Sequence, residues 1–282
     1  MGRRIMLFIK SFLSVTLITS FIFCSSVLAG EEIKIGGAGS ALGSMKLLAA
    51  GFEKKYPGIK VIVLSSLGSI GGIKAVSKGA IDIGIIGRPL NDEERKLGLS
   101  VIEYSKTPLV FITKKIINVS DLSTQELIRI FKGDTQIWPD GERIRLILRQ
   151  PAESNAIVVK KISSEMSKAM DIAMSRTWRV VALTDQETTD IIEKTPGAFG
   201  FCTLTQIISE KRDLKILSYN GQPPMIKKRV NESYPLFKSH AMVIKKEPSA
   251  IVKRFIDFTR SLEGERILRE SGNAMIKSAS IQ

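Results

Sequence analysis

The sequence has few of the residues that enzymes use as nucleophiles, general bases and metal ligands. It contains one histidine, His240, and two cysteines, Cys24 and Cys202. With one histidine we expect no Ser-His-Asp set, and so few sulfur and imidazole ligands argue against a zinc site built on His and Cys. No tight group of aspartates and glutamates takes their place in the sequence. We therefore expect no catalysis, no metal and no cofactor.

Aromatic residues are also scarce, at 6% of the chain, whereas the formal net charge is +14. Proteins that bind nucleic acid concentrate basic residues in a stripe and often add aromatic platforms for the bases. In this chain the basic residues are scattered pairs such as Lys54-Lys55, Lys114-Lys115 and Lys160-Lys161. We therefore exclude nucleic acid as a partner. The charge favours solubility or the long-range attraction of small anions.

A long apolar run occurs only at the N-terminus. Arg3 and Arg4 precede it, and Val27-Leu28-Ala29 ends it with a cleavage-type sequence, which predicts a signal peptide cut after Ala29. An uncleaved membrane anchor is the weaker alternative, because the most apolar stretch is short for a bilayer span. A lipoprotein signal is disfavoured because the bulky Phe23 precedes Cys24. Export would leave Cys202 alone, so no internal disulfide could form.

Strands and helices alternate in the first third of the exported chain. Apolar side chains recur at helical spacing at Met45, Leu48, Ala49 and Phe52. Short apolar runs at residues 32–36, 59–64, 81–86 and 107–113 are typical of buried strands. This alternation predicts an α/β fold in which a mainly parallel sheet is flanked by helices.

The rest of the chain predicts a second lobe and a return to the first. Ser123 and Glu126 have the spacing of a helix capping box. Further strands are predicted at residues 143–149 and 198–202, and helices at 155–174 and 187–194. We expect a first lobe of residues 30–113, a second of 114–233 and a return segment of 234–282. Two crossings between lobes would form a hinge beside a cleft.

Three loops carry the chemistry that the sequence offers. Residues 37–41 and 66–72 are glycine-rich and open helices, so their backbone N–H groups and helix dipoles favour an anion. The third loop follows Arg149, whose guanidinium is a fork for an oxyanion. Taken alone, the first loop is a weak signal, the second fits a tight turn equally well, and an isolated Arg149 fits a salt bridge better. Together they predict an anion site where two lobes meet.

Several segments, in this order, resemble the periplasmic phosphate-binding proteins of ABC importers. They are GAGSALGSM (37–45), GSIGGIKAVSKGAIDIG (68–84), DLSTQELIRIFKGDTQIW (121–138), PGAFGF (196–201), YPLFKS (234–239) and FIDFTRSLEGERIL (255–268). The resemblance implies a two-lobed periplasmic-binding-protein fold of type II character. It also implies a monomer in the periplasm that captures phosphate or a related oxyanion. Such a protein delivers its ligand to the permease and ATPase of an importer.

The resemblance also implies ligand-binding residues. In the first loop Ala41 takes the position of a hydroxyl residue, between Ser40 and Leu42, and Ser69 matches the serine of the second loop. Arg149 matches the arginine that precedes the third loop. That loop is usually Ser-Gly-Thr, and in this chain it is Glu153-Ser154-Asn155. Ser154 and Asn155 are therefore its expected ligand residues.

Two departures from the family pattern make the ligand less certain to be phosphate. The family often has Ser-Asp after the strand at 81–86, where this chain has Gly87 and Arg88, so an acceptor for a protonated phosphate is lost. Arg88 could favour a fully ionised or larger ligand, or it points outward, or it pairs with Glu153. Glu153 in turn would repel an anion or occupy Arg149. The alternative function is a ligand-presenting sensor or adaptor whose anion site has diverged or been lost.

Overall fold

The computed structural model describes residues 31–276. The predicted signal peptide and its cleavage site after Ala29 lie outside the described residues, as does Cys24. Within residues 31–276 no helix is long and apolar enough to cross a membrane.

Strands and helices alternate along most of the described chain. The strands are β1 (Glu31–Gly37), β2 (Ile59–Ser66), β3 (Ile83–Ile86), β4 (Ser100–Thr113), β5 (Asp121–Leu122), β6 (Arg145–Arg149), β7 (Val180–Ala182), β8 (Ala198–Thr203), β9 (Lys215–Ile216), β10 (Ser218–Tyr219), β11 (Met225–Ile226), β12 (Arg229–Val230), β13 (Phe237–Ile244) and β14 (Ala274–Met275). The helices are α1 (Leu42–Lys55), α2 (Gly68–Ser77), α3 (Asp92–Arg95), α4 (Thr124–Lys132), α5 (Ser154–Lys160), α6 (Ser164–Ser175), α7 (Asp185–Lys194), α8 (Leu204–Ser209), α9 (Ala250–Thr259) and α10 (Leu262–Glu270). A 3-10 turn, Gly39–Ala41, precedes α1.

One continuous sheet runs through the molecule, with the strand order β2-β1-β3-β13-β4-β8-β6-β7. Its two ends are parallel: β1 pairs in parallel with β2 and β3, and β6 pairs in parallel with β7 and β8. The strands β13 and β4 in the middle run antiparallel to each other and to their neighbours. The predicted order of strands and helices in the α/β fold is therefore confirmed.

The 14-residue strand β4 connects the two halves of this sheet. Its first part, from Ser100 to Pro108, pairs with β13, and its second part, from Leu109 to Thr113, pairs with β8. The chain returns beside this junction, where the Leu109 N–H donates to the Leu236 carbonyl at 2.9 Å. Two strands thus cross side by side between the halves, as expected of a hinge. The sequence predicted only the second half of β4, residues 107–113.

Two large apolar cores lie on either side of these crossings. One is built from residues between Ile33 and Tyr104 together with residues between Met242 and Leu268, and in it Phe52 packs edge to face against Phe255 and Phe258. The other uses residues between Leu109 and Leu236, where Phe111, Phe131 and Phe199 are fully buried. Two cores from these parts of the chain agree with two lobes. The lobe boundaries at 113/114 and 233/234 remain predictions.

Most local signals in the sequence correspond to what the structure shows. The Ser123 side chain accepts from the Glu126 N–H, and the Glu126 carboxylate accepts from the Ser123 N–H, so the predicted capping box is confirmed. The predicted helix at 155–174 is divided into α5 and α6, because Ser163 caps a new helix start. The strand predicted at 143–149 begins two residues later, at Arg145.

Candidate functional site

A cavity of about 350 Å³ opens between the two cores. On the side of the first core it is lined by Ala38, the loop at residues 66–70 and Arg88. On the side of the second core it is lined by Arg149, residues 152–154 and residues 183–185. Loops that follow parallel strands thus face each other, which is where ligands bind in open α/β sheets. The predicted residues Ser69, Arg88, Arg149 and Ser154 all line this cavity.

The N-terminus of α2 faces the cavity without a side-chain cap. Leu67 precedes the helix and makes no capping hydrogen bond. By contrast α4, α6, α7, α9 and α10 each begin with a serine or threonine whose oxygen accepts from the first turn. The first N–H groups of a helix have no partner within the helix. The first turn of α2 therefore offers donors and the positive end of a helix dipole to the cavity.

Close packing of glycines places this helix. A Cβ atom at Gly72 would lie 2.9 Å from the Cα of Gly37, so a side chain at Gly72 would push α2 away from β1. Gly37 itself has a φ of 134°, and a Cβ there would lie 2.2 Å from the Ile85 carbonyl oxygen. Gly37 of the first glycine loop and Gly72 of the second thus allow the start of α2 to pack closely against the ends of β1 and β3.

Arg149 reaches the cavity from the end of β6 and is only partly satisfied. Its side chain is 3% exposed, and Nη1 donates to the Ala182 carbonyl at 3.1 Å. Nε lies 3.5 Å from Glu153 Oε2, and Nη2 lies 3.8 Å from Asp185 Oδ2. Nε makes no hydrogen bond with any of the residues that the structure describes. A buried donor without a partner is rare, and here it belongs to a residue that lines the cavity.

Beside the cavity, three of the predicted ligand residues converge on an ammonium group of the chain itself. Lys238, on β13, is 2% exposed. Its Nζ donates to Ser40 Oγ at 3.1 Å, to Ser154 Oγ at 2.8 Å and to Asn155 Oδ1. Ser40 and Asn155 are fully buried and do not line the cavity. Their polar groups face Lys238, where the resemblance implied that they would face an oxyanion.

Two carboxylates complete a buried charge cluster with Lys238 and Arg149. Glu153 accepts from the N–H groups of Asn155 and Ala156 and so caps α5. Burial opposes its charge, but Lys238 and Arg149 outweigh burial and lower its pKa. Asp185 accepts from the Asn155 side chain, and burial, followed by the charge of Glu153, raises its pKa. Burial lowers the pKa of Lys238, although both carboxylates oppose this effect.

Gly87 explains how a lysine fits into this position. A Cβ atom at Gly87 would lie 2.2 Å from Cε of Lys238 and 2.8 Å from its Nζ. The Gly87 N–H donates to Ser69 Oγ at 3.2 Å, which fixes the backbone close to the cluster. The departure from the family pattern at this position therefore has a physical reason, since the lysine occupies the space that a side chain at position 87 would need.

Of the three possibilities that the sequence left open for Arg88, the structure contradicts two. Arg88 neither points outward nor pairs with Glu153. Its guanidinium binds both carboxylate oxygens of Glu94 at 2.7 Å, and the two side chains are 15% and 11% exposed. The hydrogen bonds from Arg88 lower the pKa of Glu94. Glu94 is itself held by the capping box of α3. The positive charge of Arg88 at the cavity wall is therefore balanced by the Glu94 carboxylate.

The structure does not bring Ala41 and Leu42 to the cavity. Ala41 is fully buried in the first core, and its N–H already donates to the Ala38 carbonyl. Leu42 lines a neighbouring cavity, of about 650 Å³, which shares Ser66 and Thr184 with the first one. The family resemblance implied that both residues face the ligand, but neither of them lines the cavity that contains Ser69 and Arg149.

Sequence reasoning missed Lys238 and Asp185. The available signal for Lys238 was its position between Phe237 and the apolar run at residues 241–244. Asp185 resembles an ordinary acidic residue in the first turn of a surface helix.

Within residues 31–276 no group of three or more His, Cys, Asp or Glu side chains could hold a metal ion.

The buried cluster predicts a large stability loss when its lysine is replaced. Lys238→Met keeps the length of the side chain but leaves Glu153 and Asp185 facing only Arg149. We expect a decrease of about 3–5 kcal/mol in the free energy of unfolding, as for other broken buried ion pairs. Urea denaturation measures it, with the exposed Lys245→Met as the control. A loss below about 1 kcal/mol would show that Lys238 is not part of a stabilising cluster.

Gly87→Ala should destabilise the protein through Lys238 specifically. The new methyl group would displace the lysine from its three acceptors, with a loss of about 1–3 kcal/mol, as overpacked cores show. In a Lys238→Ala background the same substitution meets no lysine, so most of its effect should disappear. A double-mutant cycle by denaturation measures this coupling. Equal losses in both backgrounds would contradict the packing argument.

Comparisons with known proteins show the family to which the chain belongs. The model of the PBP superfamily domain matches residues 26–263. The curated phosphate-binding protein PstS of Borreliella burgdorferi is 25% identical over 255 residues, which cover 87% of this chain and 90% of that protein. These findings confirm the resemblance inferred from the sequence motifs.

Solved structures give the same fold. A Clostridium perfringens protein assigned as a phosphate ABC transporter substrate-binding protein, with phosphate bound, superposes with a TM-score of 0.73 at 22% identity. The match covers 88% of this chain and all of that one. An ABC-type phosphate transport receptor from Vibrio cholerae gives a TM-score of 0.60 at 19% identity, covering 86% and 100%. The predicted two-lobed periplasmic-binding-protein fold is confirmed, and the chain belongs to the PBP superfamily.

Proposed function

We propose that this protein is an exported solute-binding protein that captures phosphate or a related small oxyanion for an ABC importer. The observation that carries the proposal is the cavity between the two cores. On one side it presents the uncapped first turn of α2, and on the other Arg149, a buried cation that lines the cavity. Donors that face each other across a cleft are what an anion requires.

The anion sits between these donors. Ser69 Oγ accepts from the Gly87 N–H, which leaves its own hydroxyl hydrogen free to donate into the cavity. The first N–H groups of α2 lie on the same wall, and Arg149 supplies a charged donor from the opposite wall. Hydrogen bonds to a charged acceptor are roughly twice as strong as neutral ones, and closure of the cleft around the ligand strengthens them further.

The two carboxylates that line the cavity make anion binding depend on pH. Glu153 and Asp185 both line the cavity and would repel an anion when ionised. Asp185 is the one whose pKa is raised, because it is buried and lies near Glu153. An anion beside it raises that pKa further, so binding is accompanied by proton uptake. Affinity therefore increases as the pH falls through the range in which Asp185 titrates.

The two side chains that could act as a nucleophile or a general base, Cys202 and His240, are placed as expected of a protein that captures a ligand without catalysis. Cys202 is fully buried, and burial raises the pKa of its thiol well above the usual range, which opposes formation of a nucleophilic thiolate. His240 is also fully buried, and burial, with the nearby Lys238, lowers its pKa well below the usual range. Neither residue lines the cavity.

The proposal that the protein delivers its ligand to an importer rests on its relatives and on its N-terminal sequence. The similar proteins are named for phosphate binding and phosphate transport, and residues 1–29 have the pattern of a signal peptide. We accordingly propose a monomer in the periplasm whose partners are the oxyanion and the permease and ATPase of an importer.

Calorimetric titration of the purified protein with phosphate, sulfate, arsenate and phosphonates tests the proposal. At least one of these oxyanions should bind, and Ser69→Ala should weaken that binding by about 10- to 100-fold, since a hydrogen bond to a charged group contributes about 1.5–3 kcal/mol. Ser77→Ala, on an exposed face of the same helix, is the matched control and should leave affinity unchanged. No binding by any member of the panel would overturn the proposed function.

Asp185→Asn should strengthen anion binding and flatten its dependence on pH. The amide keeps the shape of the side chain, removes a negative charge and no longer competes for Arg149. We expect a roughly tenfold gain at neutral pH, or about 1.4 kcal/mol. Affinities measured from pH 5 to 8 should differ most between variant and parent at the high end. Asp190→Asn, on the same helix and paired with Arg212, is the control. Parallel pH profiles would contradict the role of Asp185.

A further inference from the structure

The outer part of the cavity is apolar. Leu67 and Ile70 on the side of the first core, and Leu183 on the side of the second, all line it. They are 42%, 49% and 70% exposed, respectively, so large apolar side chains meet water from both walls of the cleft. Single exposed apolar residues are ordinary on a protein surface. Three that line one cavity, next to a buried arginine, give it aliphatic surface on both of its walls.

The polar part of the same cavity lies deeper. Arg149 and Ser154 are 3% and 5% exposed, whereas Leu183 is mostly in solvent. The cavity therefore changes from charged donors at its inner end to aliphatic side chains at its mouth. Its volume of about 350 Å³ lies within the range of about 300–1,000 Å³ that is typical of pockets for organic ligands. The surface of an inorganic oxyanion such as phosphate consists of oxygen atoms. It would use the donors and leave the aliphatic side chains wet.

We propose that the cleft selects an oxyanion that carries a short apolar group, such as an alkyl phosphonate or a phosphate ester. The inference rests on the proposed function, because the oxyanion end binds where that function places it, near Arg149 and Ser69. The apolar group lies between Leu183 and the pair Leu67 and Ile70. This orientation follows from the change from polar to apolar lining along the cavity, because the reverse orientation would place the charged group among aliphatic side chains.

The arrangement around Gly87 and Arg88 is compatible with a ligand that is larger than phosphate. Arg88 is folded onto Glu94, and Lys238 fills the space beside Gly87. Both cations are thus held by the protein's own side chains and are not free to bind a further oxyanion. A ligand whose oxyanion lies near Arg149 and Ser69 extends past the second glycine loop toward the aliphatic side chains.

A homologous ligand series tests this inference. Methyl-, ethyl- and propylphosphonate share one headgroup, so their affinities isolate the contribution of the apolar group. Each added methylene should strengthen binding by roughly three- to fourfold, the value expected for a buried methylene, with an increasingly negative heat-capacity change. Inorganic phosphate titrated under the same conditions reports on the headgroup site alone.

Leu183→Ser identifies the wall that contacts the apolar group. The variant should lose most of the gain from methyl- to propylphosphonate and should bind inorganic phosphate as the parent does. Leu262→Ser replaces a leucine that is 90% exposed on α10 and is the matched control. A series that binds with no dependence on chain length would overturn the inference and leave the proposed function standing. If neither phosphate nor any phosphonate binds the parent protein, the proposed function falls as well.

Discussion

The burial of one ammonium group, that of Lys238, governs the arrangement of the whole cleft. An unpaired charge in a protein interior is strongly unfavourable, so the group must be surrounded by acceptors. Ser40 supplies one from the first lobe, while Ser154 and Asn155 supply two from the start of α5. Because these acceptors come from both sides of the hinge, satisfying the lysine draws the two sides together. The Thr203 hydroxyl, which donates to the Ser40 carbonyl at 2.8 Å, reinforces the contact.

Accommodating the lysine has consequences for the helix N-termini around the cleft. Glu153 lies close to Lys238 and Arg149 and uses its carboxylate to cap α5, so the third loop can no longer offer its N–H groups to a ligand. The first loop turns Ser40 toward the lysine. Of the three loops, the second, at the start of α2, keeps free donors that face the cavity. The proposed anion site is therefore smaller than the three-loop site implied by the sequence, and it lies farther out.

The local structure was readable from the sequence, but the contacts that define the site were not. Helix α4 could be placed from its capping box, and the strands around the glycine loops from their apolar runs. The contact between Lys238 and Ser40 joins residues 198 positions apart and depends on an absent side chain at Gly87. Sequence periodicity carries no information about such a pair. The same holds for Arg88, because its partner Glu94 looked like an ordinary surface helix acid.

The charge balance of the cleft finally limits what kind of ligand it can select. The chain as a whole is strongly basic, which steers anions toward it over long distances. Within the cleft, however, Arg149 and Lys238 face Glu153 and Asp185, and Arg88 faces Glu94, so fully ionised groups give no local excess of positive charge. A highly charged anion gains little from such a balanced site. Directed hydrogen bonds and buried apolar area must supply the selectivity, and both favour a ligand with a polar head and an apolar group.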